Sequence, residues 1–247
     1  MSLIQNDYPL KQISAALWSS SLISPLMLTL DMSIIRSHIK TEKIANSFLH
    51  VVHGLRSGTL SFWRPYRIMN QVYFSTFGTA NLMEYYSKRY SIKSQVPTVL
   101  ATSTVNIILM SYKDREYSHY FGIMRPSMSW KSRMLSAIGA YITVYGQFVK
   151  KEEVEKKCLL YFSPSVSMFL SSIIVSMGAQ LFSTPFHILS MDLYQSPTRS
   201  FSERIQKMKS LYGSICLGRM LRIFPAFGCG GYLNEKWKRE FFFDYTK

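Results

Sequence analysis

The pattern of charged and apolar positions divides the chain into long segments without Asp, Glu, Lys or Arg, separated by short charged ones. The charge-free segments cover residues 12–30, 68–83, 94–112, 134–149 and 158–191, with a shorter one at 223–234. An α-helix rises about 1.5 Å per residue, so roughly 20 residues cross the hydrocarbon core of a membrane. A helical core in a soluble protein is the alternative, but the segment 158–191 is too long for one. The pattern therefore predicts six membrane spans.

Basic residues are concentrated in three segments that alternate with the predicted spans. Residues 36–67, 113–133 and 192–222 together hold 17 Lys and Arg against five Asp and Glu, in a chain of net charge +15. The positive-inside rule places these three segments on one side of the membrane and both termini on the other. Such a charge also suits anionic phospholipid. Nucleic acid is the alternative partner, but the basic residues lack the compact face that it requires, so none is expected.

No arrangement of residues predicts catalysis or a metal centre. The sequence has no Gly-rich phosphate loop, no metal-ligand spacing of His and Cys, and no recognisable Ser, His and Asp signature. Cys158, Cys216 and Cys229 lie in or beside apolar segments, which is typical of small buried hydrophobic residues. We therefore expect neither an enzyme nor a cofactor other than bound lipid. No cleaved signal peptide is expected either, because the N-terminus carries Asp7 and lacks a basic region.

Three segments of the chain share a pattern that predicts an internal repeat within a single domain. Their boundaries are 11–90, 91–152 and 153–247. In the first and last segments, a span that contains proline is followed by a short amphipathic helix, at 46–54 and at 200–210, and then by a second span. The middle segment is shortened and leaves no room for such a helix between Lys113 and Gly122. The sequence therefore predicts three helix pairs.

Two stretches within these repeats resemble the mitochondrial carrier family, and the resemblance extends over nearly the whole chain. Residues 61–64, Ser-Phe-Trp-Arg, look like the aromatic–Arg–Gly step of ADP/ATP-type carriers, with Pro65 in place of glycine. Residues 219–225 look like the opening of a carrier's sixth span. The resemblance implies an all-α membrane protein of the mitochondrial carrier fold, with six transmembrane helices in three helix-pair repeats. It also implies the mitochondrial inner membrane, with both termini in the intermembrane space.

The charged positions that gate carriers are filled here by other residues. Carriers have Pro-x-acidic-x-x-basic at the matrix ends of their odd-numbered spans, where the charges form an ion-pair network. The positions that correspond to this gate hold Pro25, Met27, Leu30, Pro185, His187 and Ser190. None of the acidic or basic positions keeps its charge, so the resemblance implies a degenerate gate.

Two further sets of residues follow from the same resemblance. The vestigial substrate-contact positions are Arg222, Arg133, Met134 and Val72. The lipid-headgroup positions are Trp63, Arg64, Gly122, Tyr212 and Gly213. Cardiolipin or another anionic phospholipid is the lipid expected there.

The loss of gating charges carries a prediction about function. Alternating access needs state-dependent contacts, so we predict a transport-incompetent accessory subunit of an inner-membrane respiratory assembly, with cytochrome c oxidase as the first candidate. Its partners would be other membrane subunits, and the aromatic residues 241–245 would form a docking tail. The alternative is a divergent antiporter of a small anion that uses Arg222 and Arg133. An open cavity that reaches Arg222 would favour transport, and an interior filled by apolar side chains would favour the subunit.

Overall fold

The computed structural model describes residues 9–123, 128–146 and 150–240, and the regular structure in these ranges is helical throughout. The α-helices are α1 (Pro9–Lys40), α2 (Ile44–Ser57), α3 (Trp63–Arg89), α4 (Val96–Tyr120), α5 (Trp130–Tyr145), α6 (Lys151–Cys158), α7 (Pro164–Gln195), α8 (Phe201–Ile223) and α9 (Gly230–Glu240). A π-helical segment, Phe224–Cys229, joins α8 to α9. The prediction of an all-α protein is confirmed for this part of the chain. The predicted docking tail at 241–245 lies outside the described residues.

Two helices are long and apolar enough to cross a membrane. They are α1 and the stretch Val166–Gln195 of α7, and they coincide with two of the charge-free segments of the sequence. This supports a helical membrane protein. A six-span carrier repeat does not follow from it, and the division into three repeats stays a prediction. Its boundary at 90/91 falls in the turn between α3 and α4, whereas the boundary at 152/153 falls inside α6.

The starts of the two predicted amphipathic helices differ from each other. The helix predicted at 46–54 is confirmed as α2, which begins after Lys43 without a side-chain cap. The helix predicted at 200–210 begins as expected, with a capping box in which Ser200 and Glu203 exchange hydrogen bonds of 3.1 and 3.4 Å. It does not end at 210, because no proline interrupts the chain before Pro225, and α8 continues to Ile223.

Prolines and hydroxyl side chains are accommodated inside the two most apolar helices. Pro25 lies within α1 and Pro185 within α7, and neither ends its helix. In α1, Ser24 Oγ donates to the Ser20 carbonyl at 2.6 Å. In α7, Thr184 Oγ1 donates to the Gln180 carbonyl at 2.6 Å. Hydroxyls that bond back to their own helix need no water, which allows them in a membrane span.

The long helices pack around a common axis in a closed ring. In order around the ring, α1 packs against α3, α3 against α4, α4 against α5, α5 against α7, and α7 against α8. The ring closes because α1 also contacts α8 and α9. The amphipathic helix α2 packs outside this ring against α1. Successive long helices run in opposite directions, so each end of the ring collects alternate helix ends.

Candidate functional site

A cavity of about 750 Å³ runs along the axis of the helix ring. Residues of α3, α4, α5, α7, α8 and α9 line it, and α6 lies at one end. At that end the lining includes the exposed residues 91–95, which connect α3 to α4, together with Lys151 and Glu155. We call this end the mouth. The opposite end, which we call the deep end, lies against buried charged residues.

Four buried charged residues form a cluster at the deep end of the cavity, which Asp114 and Arg222 line, and we call this cluster the floor. They are Asp31 of α1, Lys113 and Asp114 of α4, and Arg222 of α8. Arg222 Nη1 donates to both carboxylate oxygens of Asp31, at 2.7 and 3.0 Å, and Lys113 Nζ donates to Asp31 Oδ2 at 2.6 Å. Lys113 Nζ also lies 2.8 Å from Asp114 Oδ1. The floor therefore ties three helices together through groups that depend on one another for charge compensation.

A fifth charge, Arg219, lines the cavity beside the floor. It lies one turn before Arg222 on α8, and its side chain is just as buried. Its guanidinium donates to Ser183 Oγ of α7 at 3.3 Å. In the described part of the chain, no carboxylate lies within salt-bridge distance of it. The His187 side chain of α7 also lines this end of the cavity.

The cavity wall between floor and mouth is lined by hydroxyl and amide side chains. Asn106 Nδ2 donates to Thr76 Oγ1 at 3.1 Å, which joins α4 to α3. Thr102 Oγ1 is buried and has no hydrogen-bond partner among the described residues. Such groups can bind an uncharged polar ligand through donors and acceptors without fixing its charge.

The wall has a second pair of amides nearer the mouth. Asn81 of α3 and Asn234 of α9 exchange two hydrogen bonds, both 2.9 Å, and Asn81 also donates to the Gln12 carbonyl of α1 at 3.0 Å. Further out, the Glu84 carboxylate of α3 accepts from Lys238 of α9 at 3.0 Å. These contacts hold α1, α3 and α9 together on one side of the mouth.

Additional polar contacts surround the floor from outside the cavity. Asp192 at the end of α7 is buried and forms ion pairs with Arg199, Arg204 and Lys207, of which the pair with Arg204 is 2.6 Å long. The Tyr117 hydroxyl of α4 donates to the Pro65 carbonyl of α3 at 2.8 Å. Each of these contacts restrains a helix that reaches the floor.

The four predicted substrate-contact residues do not share one site. Arg222 and Val72 line the cavity, Arg222 as part of the floor. Arg133 and Met134 are exposed near the start of α5 and are absent from the cavity lining among the described residues. An anion site built from Arg222 and Arg133 is therefore not formed here.

The predicted gate positions also separate. His187 lines the cavity, while Met27 is fully buried in the core and Ser190 bonds to Ser132 and Ser136 of α5. Leu30 and Pro185 are half-buried and Pro25 is exposed, as the helix faces on which they lie require.

The residues expected to bind lipid headgroups lie at helix ends or on outer surfaces. Trp63 and Arg64 are exposed at the start of α3, and Arg64 pairs with Glu116 at 2.6 Å. Gly122 follows α4 with a positive φ of 92°. The Tyr212 hydroxyl donates to the Leu181 carbonyl at 3.0 Å, and Gly213 is exposed. Binding of anionic phospholipid at these positions stays a prediction.

Sequence reasoning missed most of the floor. It expected an interior poor in charge, because the positions aligned with a carrier gate are uncharged. The structure differs because Asp31 and Lys113 stand immediately after the charge-free segments 12–30 and 94–112, at ends of α1 and α4 that meet at the same end of the ring. The sequence did contain a signal for the floor. Each of these two segments is followed directly by a charged residue, and the two charges are of opposite sign.

The outer surface of the ring carries exposed apolar side chains, whereas charged, amide and hydroxyl side chains are among those that line the cavity. Exposed apolar residues follow helical spacing on α5, at Met134, Ile138, Tyr141 and Tyr145. A similar exposed series on α4 includes Val96, Leu100, Ile108 and Tyr112. Exposed apolar stripes around a polar cavity, with two membrane-length helices, are typical of a helical membrane protein.

The comparison with known families agrees with a helical membrane protein and identifies the family to which the chain belongs. The chain belongs to the probable citrulline exporter family, whose model matches residues 15–242. No curated protein matches the chain.

The family corrects two predictions made from the sequence. The resemblance to mitochondrial carriers is wrong, because the family that matches is one of probable citrulline exporters and no carrier family matches. The residues that carried the resemblance have a local explanation. Trp63 and Arg64 begin α3, and residues 219–225 include the buried Arg219 and Arg222 of α8. An aromatic beside Arg at a helix start is common at membrane interfaces. The mitochondrial location was based on this resemblance alone and loses its support.

The predicted accessory subunit of a respiratory assembly is also wrong, and cytochrome c oxidase falls with it as a candidate. An exporter family and a cavity that reaches Arg222 both favour the alternative, a solute transporter. The buried charges of the floor belong to residues outside the positions that were aligned with a carrier gate, so uncharged residues at those positions do not mean an uncharged interior.

Proposed function

We propose that this protein exports citrulline, or a closely similar neutral amino acid, across a membrane by alternating access. The observation that carries the proposal is the cavity that extends from an exposed mouth to a floor of buried charges of both signs. Citrulline is a zwitterion with an uncharged ureido group at the end of its side chain. Charges near the floor suit the zwitterion, and the amides and hydroxyls of the wall suit the ureido group.

The size of the cavity supports a small solute. Its volume of about 750 Å³ lies within the range of about 300–1,000 Å³ that small-molecule sites occupy. A cavity open at one end and closed by contacts at the other is what one state of an alternating-access transporter requires.

The proposal includes six membrane-crossing segments: α1, α3, α4, α5, α7, and α8 continued through α9. Helices α3 and α4 have 27 and 25 residues, enough to span the hydrocarbon core. Their mean hydropathy is lowered by the polar side chains that line the cavity, while the outer face of α4 exposes Val96, Leu100 and Ile108. Helices that enclose a polar pathway are therefore expected to escape detection by hydropathy alone.

Opening of the floor is the conformational step that the geometry suggests. Asp31, Lys113 and Arg222 come from α1, α4 and α8, so a solute can pass the floor only if these helices move apart and the ion pairs exchange partners. State-dependent contacts of this kind provide the free-energy difference between two closed states. Because the floor lies at the end that carries the three basic segments, the positive-inside rule places it on the cytoplasm-like side and the mouth on the opposite side.

Counterflow in proteoliposomes tests the proposal. Vesicles that contain the purified protein are loaded with unlabelled L-citrulline, and the accumulation of external labelled L-citrulline is followed. We expect accumulation above that in protein-free vesicles, and we expect it to be abolished by Asp31→Asn. Arg133→Gln, on the outer surface, serves as the matched control and should transport normally. Accumulation equal to that in empty vesicles for citrulline and for a panel of neutral amino acids would refute the proposal.

A further inference from the structure

Two arginines one helical turn apart on α8 differ in how their charge is compensated. Arg219 and Arg222 are 6% and 7% exposed, and both line the cavity. Arg222 donates to both oxygens of Asp31. Arg219 donates to the neutral hydroxyl of Ser183 at 3.3 Å and has no carboxylate within salt-bridge distance among the described residues, whereas the Nε atoms of both arginines have no hydrogen-bond partner there. The two arginines are thus equally buried, but of the two it is Arg222 that has a carboxylate partner.

The charges of the neighbourhood leave Arg219 in excess. At the floor, Asp31 and Asp114 face Lys113 and Arg222, so these four residues compensate one another. Two other titratable side chains line the deep end of the cavity: His187 supplies no negative charge in either protonation state, and the Tyr73 phenol is neutral when it is protonated. Arg219 therefore adds one positive charge at the deep end of the cavity, and the described residues do not neutralise this charge.

A buried charge without a counter-ion is costly, and a folded protein rarely keeps one without a use. A guanidinium that lines a cavity offers several N–H donors in one plane, which is the geometry that carboxylates accept. The arrangement thus provides half of an ion pair, with the other half expected from a ligand.

We infer that Arg219 binds the α-carboxylate of the transported amino acid, while Arg222 maintains the floor. The inference rests on the proposed function and adds to it a division of labour between the two arginines. It also defines the ligand class: the solute must carry a carboxylate, and loss of that group must abolish recognition even when the rest of the molecule is unchanged.

A ligand from which only the carboxylate has been removed tests this assignment. N-Carbamoylputrescine is citrulline with a hydrogen atom in place of the carboxylate. Binding of both compounds to the detergent-purified full chain is measured by calorimetry for the native protein, Arg219→Gln, Arg219→Lys and the surface control Arg133→Gln. The native protein and Arg133→Gln should bind citrulline about 10- to 100-fold more tightly than N-carbamoylputrescine, as expected for a charge-assisted bond. Arg219→Gln should lose this preference, and Arg219→Lys should restore part of it.

The thermal stability of the same variants separates a binding role from a structural one. Arg219→Gln removes an uncompensated charge and should melt at or above the native temperature, whereas Arg222→Gln leaves Asp31 with one cation fewer and should melt lower. If Arg219→Gln retains the preference for citrulline, or destabilises the fold as much as Arg222→Gln does, the assignment is overturned.

The failure of this assignment can be told apart from the failure of the proposed function. If the native protein binds another α-amino acid instead of citrulline, and Arg219→Gln abolishes that binding, then the citrulline assignment fails and the role of Arg219 stands. If citrulline binds equally well to Arg219→Gln, the role of Arg219 fails and the exporter proposal stands. If the native protein binds no α-amino acid, both are overturned.

Discussion

The floor and the mouth are built from different kinds of contact. At the floor, Asp31 has a side chain that is 2% exposed and is shared by two cations from two other helices. At the mouth, the Glu84 side chain is 45% exposed and pairs with Lys88 and Lys238. Buried pairs require each partner, because removing one strands the other, whereas exposed pairs are replaced by water at little cost.

This difference indicates which end restrains the protein. The floor connects α1, α4 and α8 directly, and the contacts of Asp192 and Tyr117 reinforce the same end. The mouth has its strongest contacts on the side of α1, α3 and α9, and the exposed residues 91–95 leave the opposite side open. Transport as proposed would therefore require disruption of the more strongly connected end, for which a ligand must supply free energy.

Removing the shared carboxylate should have the largest effect. Asp31→Asn leaves Lys113 and Arg222 buried with one carboxylate between them, and we expect a loss of about 3–5 kcal/mol of stability. Thermal unfolding in detergent measures it. Glu153→Gln, which removes exposed ion pairs with Lys150 and Lys157, is the charge-matched control and should unfold as the native protein does. A native-like unfolding temperature for Asp31→Asn would show that the floor does not stabilise the ring.

A smaller loss is expected from the hydrogen bond that restrains α4 beside the floor. Tyr117→Phe removes the hydroxyl that donates to the Pro65 carbonyl and leaves that carbonyl without this donor in a buried site. We expect a loss of about 1–2 kcal/mol, measured in the same unfolding experiment. Tyr141→Phe, on the exposed face of α5, should cause no change. Equal effects of the two substitutions would contradict the distinction between buried and exposed contacts.

The smallest effect is expected at the mouth. Glu84→Gln removes the pairs with Lys88 and Lys238. The Lys238 side chain is 9% exposed, but the Glu84 side chain is 45% exposed and accessible to water, so the loss should be about 1 kcal/mol or less. Counterflow should persist. If Glu84→Gln abolished transport while Asp31→Asn preserved it, the roles assigned to the two ends would have to be exchanged.

The sequence predicts the helices better than it predicts the site. The charge-free segments predicted an all-helical membrane protein, because the absence of charge over 16 or more residues is itself a physical requirement of a span. The amphipathic helix α2 was also recognisable. The extent of α8 was not, since Gly213 resembles a break and nothing local shows that the helix continues through it.

The floor could not be derived from spacing along the chain. Lys113 and Arg222 lie 82 and 191 positions after Asp31 along the chain. Whether the three side chains meet depends on which face each helix turns toward the axis. The carrier resemblance directed attention to aligned positions such as Met27 and Ser190. Met27 and Ser190 are buried because they pack against neighbouring helices. The charged residues of the floor occupy other positions.

The most direct test of the difference between the two ends is a pair of distances measured with and without ligand. Spin labels are placed at Lys40 and Lys209, on exposed surfaces of α1 and α8 toward the floor, and in a second protein at Lys93 and Lys157 beside the mouth, with Cys158, Cys216 and Cys229 replaced by serine. Pulsed electron paramagnetic resonance then gives each distance distribution. We predict that saturating citrulline adds a longer distance at the floor and a shorter one at the mouth. If citrulline binds and neither distribution changes, the ends do not open in alternation and the account is contradicted.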